Sequence, residues 1–359
     1  MKKSQAGANC LGLNFFNVYL KYVLIMTAKV ENNSKNSKYF EQKLLKRNKL
    51  KWFGYHLAGM LYYQNPDSPL AKGYRNSFYC CNIIEVTPEG YAIALFCKNR
   101  WCVICQRNKM GAMINAYSDR LRQEKEIWFL TLTRPNVTAE KLREEVARYQ
   151  ELWRIIANTR EYRRAMRKGA IGMRKFECTY HGQKYRKDGT PDPWYDSYHP
   201  HFHLLVSSKE LAEFILHLWL LLNPESTESA QDLKKVDGEG GYLEIFKYFT
   251  KLIAKDSEGK RFFDAKHMDV IFRALQGRRV YFRLGQGKVW GVAEVTEKTE
   301  NQVATIETDA TPSFYSWQEF EKEFGYYDID SGEVLTELPK VGKLYDMVAD
   351  SELRILRRE

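Results

Sequence analysis

Tyr198-His199-Pro200-His201-Phe202-His203-Leu204-Leu205-Val206 is the stretch from which the rest of the chain is read. In an extended strand successive side chains point to opposite faces, so His201 and His203 share one face while Phe202 and Leu204 share the other. Two imidazoles then converge on one point above an apolar underside. His199 has the same parity, but Pro200 carries no amide donor and sits best at a strand's first residue, which places His199 just outside the strand. Neutral imidazole is a common ligand of divalent metals, so the 201/203 pair is the candidate metal site and His199 the next candidate. The plainer reading, two solvent-facing histidines on a half-buried strand, has to be weighed against what surrounds them.

Upstream, Ile127 to Thr133 is a short β-rich run ended by Arg134-Pro135, hence a buried strand. Thr138 is placed to cap a helix that sets Leu142, Val146, Tyr149, Trp153 and Ile156 on one stripe, in helical steps of three and four. That helix ends in a strongly basic run, Arg160 to Lys168, with Gly169 as its stop. A second strand, Ile171 to Tyr180, contains Glu177, which a hairpin would lay beside the histidine strand as a third metal ligand. Downstream, a helix from about Lys209 to Leu222 is apolar on most faces and therefore buried against the sheet. In the run from Tyr242 to Lys251, helical spacing brings Glu244, Tyr248 and Lys251 to one face. Residues 266–276 form another short helix, and Arg278 to Trp290 reads as a basic hairpin. This order predicts an α+β fold, an antiparallel sheet flanked by helices, with a metal on its open face and a tyrosine presented to it.

That constellation suits strand transfer on DNA. A divalent cation on His201 and His203 would polarise a phosphate for attack by Tyr248, whose phenol Lys251 or Lys247 would help to ionise. Glu244, one turn away, is placed to deprotonate the water or hydroxyl that later resolves the covalent link.

Seven cysteines are an odd number, and Cys80, Cys81, Cys97, Cys102 and Cys105 fall in one short window, which favours metal over a disulfide framework. Tetrahedral zinc needs four thiolates or imidazoles; Cys97, Cys102 and Cys105 with Cys81, or alternatively Cys80, supply them. Lys98, Arg100, Arg107 and Lys109 interleave this element and suit contact with phosphate. Ahead of it, residues 39–63 read as a basic helix, either DNA-facing or an ordinary core helix with a solvated basic face.

The chain of 359 residues, 44% hydrophobic and 14% aromatic, is too rich in core-forming residues for a disordered protein. Its net charge of +11 is unevenly placed: from Gly291 onward there are 7 Lys+Arg against 16 Asp+Glu, net −9, leaving 49 against 29, net +20, for residues 1–290. Clustered basic charge on that scale is the footprint of a nucleic-acid binder. The apolar run 11–27 is interrupted by Asn14, Asn17 and Lys21, which argues against a membrane helix, and a cytoplasmic protein is expected. Met26, ahead of a polar tail at 31–38, offers an alternative start to Met1.

Taken together, these motifs resemble the replication initiators of small rolling-circle plasmids, in the HUH endonuclease superfamily. The likeness rests on Phe129-Leu130-Thr131-Leu132-Thr133, on His199-Pro200-His201-Phe202-His203-Leu204-Leu205, on Glu244-x3-Tyr248-x2-Lys251 and on Cys97-x4-Cys102-x2-Cys105. It implies an HUH-type nuclease domain preceded by a cysteine-rich zinc element. Tyr248 is then the nicking nucleophile that leaves a phosphotyrosine link and a 3′ hydroxyl, His201 and His203 hold Mg²⁺ or Mn²⁺, and Glu244 acts in termination. The implied partners are plasmid origin DNA, single-stranded or as a hairpin, and for the acidic C-terminus a host helicase or polymerase. The expected division is a tail at 1–38, a basic and zinc-binding region at 39–125, the nuclease domain at 126–290 and an acidic segment at 291–359. The sequence departs from the family in having Val103-Ile104 inside the last cysteine pair. A related transposase, or a non-enzymatic zinc-dependent DNA-binding autorepressor, would share parts of this pattern.

Overall fold

The computed structural model describes residues 24–26, 34–86, 92–182, 184–186, 188–237, 264–285, 313–320 and 323–334, with 245, 254–255 and 261–262. In chain order its elements are β1 (Leu24–Met26), α1 (Ser34–Gln64), α2 (Ala71–Phe78), β2 (Ile83–Val86), β3 (Ala92–Ala94) and α3 (Val103–Arg122). Then come β4 (Trp128–Thr133), α4 (Ala139–Asn158), α5 (Arg160–Arg167), β5 (Gly172–His181), β6 (Ser197–Val206) and α6 (Lys209–Leu222). The series closes with β7 (Asp232–Lys235), β8 (Ala254–Lys255), β9 (Arg261–Phe262), α7 (Ala265–Ala274), β10 (Tyr281–Leu284), β11 (Ser313–Phe320) and β12 (Glu323–Asp328).

Residue contacts divide the chain into two units. The first takes the described parts of Met1–Trp52, Tyr79–Lys98 and Ala293–Lys340 and is built on an antiparallel sheet in the order β1-β3-β2-β11-β12. The aromatic residues of the acidic segment therefore do fold: Trp317 and Tyr326 are buried and paired with each other across β11 and β12. Trp317 Nε1 donates to Asn48 Oδ1 at 3.0 Å, and Tyr326 Oη donates to the Cys81 carbonyl at 2.5 Å. Lys51, one of the bases of the helix read as either DNA-facing or a core helix with a solvated basic face, is turned inward: it is fully buried and donates to the Cys80 carbonyl at 2.9 Å. Helix α1 also starts earlier than expected, inside the polar stretch read as a tail, and Leu24–Met26 forms an edge strand.

The second unit takes the described parts of Phe53–Phe78, Asn99–Val292 and Val341–Glu359, and its sheet runs β10-β5-β6-β4-β7, antiparallel throughout. Leu130, Leu132, Phe176, Phe202 and Leu204 alternate onto one face and are completely buried there. Helices α4, α6 and α7 pack on the sheet. Tyr149 of α4 meets the rings of Phe176, Phe202 and Trp219 at 5.1 to 5.5 Å, and its hydroxyl donates to the Pro200 carbonyl at 2.6 Å. Strand β5 needs Gly172 where it meets β6, because a Cβ there would stand 2.1 Å from the Leu205 carbonyl oxygen.

Two local expectations are corrected. The helix from Ala139 does not run on to Lys168 but breaks at Thr159, whose extended backbone ends α4 while its hydroxyl accepts from Tyr162 N and opens α5. Thr138 sits at the N-cap of α4 but makes no side-chain cap bond. Among the described residues, no helix is long and apolar enough to cross a membrane.

Candidate metal centre

The central strands bring three candidate ligands to one place. Residue Glu177 of β5 lies opposite His201 of β6, and Lys175 lies opposite His203, so all four share a sheet face by parity. From Glu177, one carboxylate oxygen is 3.8 Å from His201 Nε2 and the other 3.6 Å from His203 Nε2. One ligand atom from each of the three falls within 4.8 Å of the others. The hairpin expectation for Glu177 holds geometrically.

Each imidazole is aimed by its other nitrogen. His203 Nδ1 contacts Thr131 Oγ1 at 3.1 Å, the residue opposite it on β4, and His201 Nδ1 lies 3.1 Å from the His199 carbonyl. Both Nε2 atoms are thereby left toward Glu177, which is how outer contacts orient ligating histidines. The Thr-Leu-Thr run of β4 thus has a task beyond building a strand.

Charge in the site matches a cation's needs. Burial pushes the Glu177 carboxyl up, but Lys175, then His201 and His203, together with the Lys175 hydrogen bond, outweigh it and hold the group at about 2. Burial, then the neighbouring His201, brings His203 down to about 3 against the pull of Glu177. A neutral imidazole and an ionised carboxylate at neutral pH are the metal-binding forms of these groups.

Lys175 was missed in the sequence. It is 1% exposed and its ammonium donates to Glu177 Oε2 at 2.5 Å, fixing one carboxylate oxygen while the other faces His201. Its signal was parity alone, two residues from Glu177. Tyr281, paired with Lys175 from β10, is buried too, and burial and the Glu177 charge push its phenol well up.

His199 does not lie outside the strand as expected: β6 begins at Ser197. Pairing with β4 stops at His201, so β6 has no β4 partner at Pro200 and the missing amide is tolerated. His199 shares the face but is absent from the three-ligand group, and its Nδ1 meets Asn136 Oδ1 at 2.7 Å. Glu244, Tyr248 and Lys251 lie outside the described residues, as does most of their segment; Ile245 within it is buried.

Of the clustered cysteines, Cys80 and Cys97 come together in the first unit, where the Cys97 amide donates to the Cys80 sulfur at 3.5 Å. Cys81 takes a left-handed backbone, φ 59°, is buried, and is held by its amide on the Leu95 carbonyl and its own carbonyl on Tyr326. Arg100, read as a phosphate contact, instead spends its guanidinium on the carbonyls of Leu275 and Arg278, while Trp101 stacks on Phe272 at 4.5 Å.

A replication-protein family model matches residues 91–211, a third of the chain. "Protein rep" from Staphylococcus aureus is 31% identical over 116 residues, which cover 31% of this chain and 44% of that protein. The chain thus spans under half the length of this relative, and no solved structure matches it. The matched segment holds Glu177, His201, His203, Cys97, Cys102 and Cys105, and stops short of Tyr248. Over residues 91–211, the likeness to plasmid replication initiators drawn from the motifs is borne out.

Proposed function

We propose that the protein initiates plasmid replication by nicking one strand of the origin. The observation that carries this reading is the convergence of Glu177, His201 and His203 on one sheet face, inside the segment that resembles replication proteins. Mg²⁺ or Mn²⁺ held there would withdraw charge from a scissile phosphate. Tyr248 supplies the nucleophile: its phenolate oxygen bonds to phosphorus, the P–O3′ bond breaks, and the departing oxygen takes a proton to become the 3′ hydroxyl that primes synthesis. Lys251 favours the phenolate, and Glu244 later accepts the proton of the hydroxyl or water that resolves the phosphotyrosine link. Lys175 and Thr131 keep Glu177 and His203 in place through the cycle. Zn²⁺ on Cys97, Cys102 and Cys105 with Cys81, or alternatively Cys80, serves structure, and the net basic residues 1–290 hold the origin DNA.

The test is incubation with Mn²⁺ and labelled single-stranded oligonucleotides tiling the cognate plasmid, run on denaturing gels with wild type and Tyr248→Phe. The expected result is a labelled covalent adduct and a 3′-hydroxyl product with wild type only. Equal cleavage by Tyr248→Phe would remove Tyr248 from the role, and no cleavage of any tile would remove the nickase.

A further inference from the structure

Between the two ligand-bearing strands the chain does not turn tightly. Residues 182–196 connect β5 and β6, and of these 182, 184–186 and 188–196 are described. Within it the Arg186 amide donates to the Thr190 carbonyl at 2.8 Å, Asp192 N donates to the Lys184 carbonyl at 2.9 Å, and Tyr185 pairs with Pro191. Three large aromatics stand out of this loop: Tyr185 is 52% exposed, Trp194 46% and Tyr195 50%. Single exposed aromatics are ordinary, but three within eleven residues, beside exposed Lys184 and Arg186, form a patch.

The patch is rigidly mounted. Asp192 accepts from the Trp194 amide at 2.9 Å and pairs with His181 at 3.0 Å, and the Tyr195 amide donates to the Asp192 carbonyl at 3.1 Å. Ser197 Oγ donates to the Trp194 carbonyl and accepts from Asn136 Nδ2 at 2.8 Å, and Asn136 in turn contacts His199. Exposed rings held by such a frame lose little freedom on binding. Trp194 is seven residues from His201, so the two lie no more than about 25 Å apart along extended chain.

The geometry points to residues 182–196 as a stacking platform for the bases of the single strand whose phosphate reaches Glu177, His201 and His203. Single-stranded nucleic acid is favoured as the occupant because its bases are unpaired and can lie on aromatic faces, whereas a duplex hides them. The loop's charge sharpens this: Lys184, Arg186 and Lys187 are balanced by Asp188, Asp192 and Asp196, so it is neutral in a basic unit and grips by stacking. The inference rests on the nickase reading for the course of the strand, but not for the binding itself.

The test uses the full chain and fluorescence anisotropy with a labelled single-stranded oligonucleotide and its duplex, across a salt series. The triple change Tyr185→Ala, Trp194→Ala, Tyr195→Ala is expected to weaken single-strand binding at least tenfold. It should leave duplex affinity, Mn²⁺ uptake and the slope of log affinity against log salt as in wild type. Trp194→Phe restored within the triple variant should recover part of the loss. Unchanged single-strand affinity, or an equal loss on duplex, would overturn the inference. Should the triple variant misfold, photocrosslinking of a bromouracil-substituted strand to wild type decides: attachment to the peptide holding Trp194 and Tyr195 supports it, and attachment only elsewhere sinks it. A protein that binds through this loop yet never cleaves would refute the nickase alone; one that cleaves while the triple variant binds normally would refute the platform alone.

Discussion

Arg174 and Lys175 are neighbours on one strand, both 1% exposed, and the two faces of the sheet deal with their charges in opposite ways. Arg174 lies among rings: its guanidinium carbon is 4.5 Å from the Trp153 centroid, 4.4 Å from Phe202 and 4.1 Å from Phe282. Only one of its nitrogens, on Gln150 at 3.2 Å, has a described hydrogen bond, while Nε and a second terminal nitrogen are buried without one among the described residues. Burial lowers the group to about 9. Lys175, one residue on, pairs with the Glu177 carboxylate and lies opposite His203. The alternation of a strand thus sets a packing solution and a chemical one back to back, and only the second has partners that could themselves hold a metal.

The contrast can be broken at four points. The largest effect belongs to the apolar face. Phe202→Ala removes a ring touched by Tyr149, Trp153, Phe176 and Trp219 and should cost about 3 to 5 kcal/mol in urea unfolding. Next is Lys175→Met, which leaves the Glu177 carboxylate largely buried without its ammonium. A loss of about 3 kcal/mol is expected in metal-free protein, with part returned by excess Mn²⁺ as the cation replaces the missing charge. A loss unaffected by Mn²⁺ would mean that Lys175 serves packing alone. Thr131→Val keeps shape but withdraws the contact to His203 Nδ1, so Mn²⁺ affinity should fall by about tenfold to a hundredfold with unfolding little changed. The smallest change is expected for Arg174→Met, where an apolar chain replaces a charge with unmet donors: stability should move by no more than about 1 kcal/mol, in either direction. A large loss there would show that the ring cage, not the removal of unmet donors, decides the balance.

The sequence made the central strands legible because their patterns are short-range: His-x-His at period two, the apolar stripe of α4, and Ser208 before the helix at Lys209, whose side chain does cap Leu211 N. Glu177 could be placed because a hairpin partner needs only matched parity. What escaped depends on contacts across long separations. Lys51 looked like solvated charge, and only its reach to the Cys80 carbonyl, 29 residues away, explains its burial. The run Asp232–Lys235, which carries no apolar alternation, becomes the edge strand β7 through pairing with β4. Likewise, the acidic C-terminal aromatics gain a role only because β11 pairs with β2, some 230 residues upstream.

The account stands on the ligand face being a metal centre, and electron paramagnetic resonance of free Mn²⁺ titrated with protein measures that directly. One tight site per chain is expected in wild type, absent in the His201→Ala, His203→Ala double variant and unaffected by Arg174→Met on the other face. Equal Mn²⁺ uptake by the double variant and wild type would contradict it.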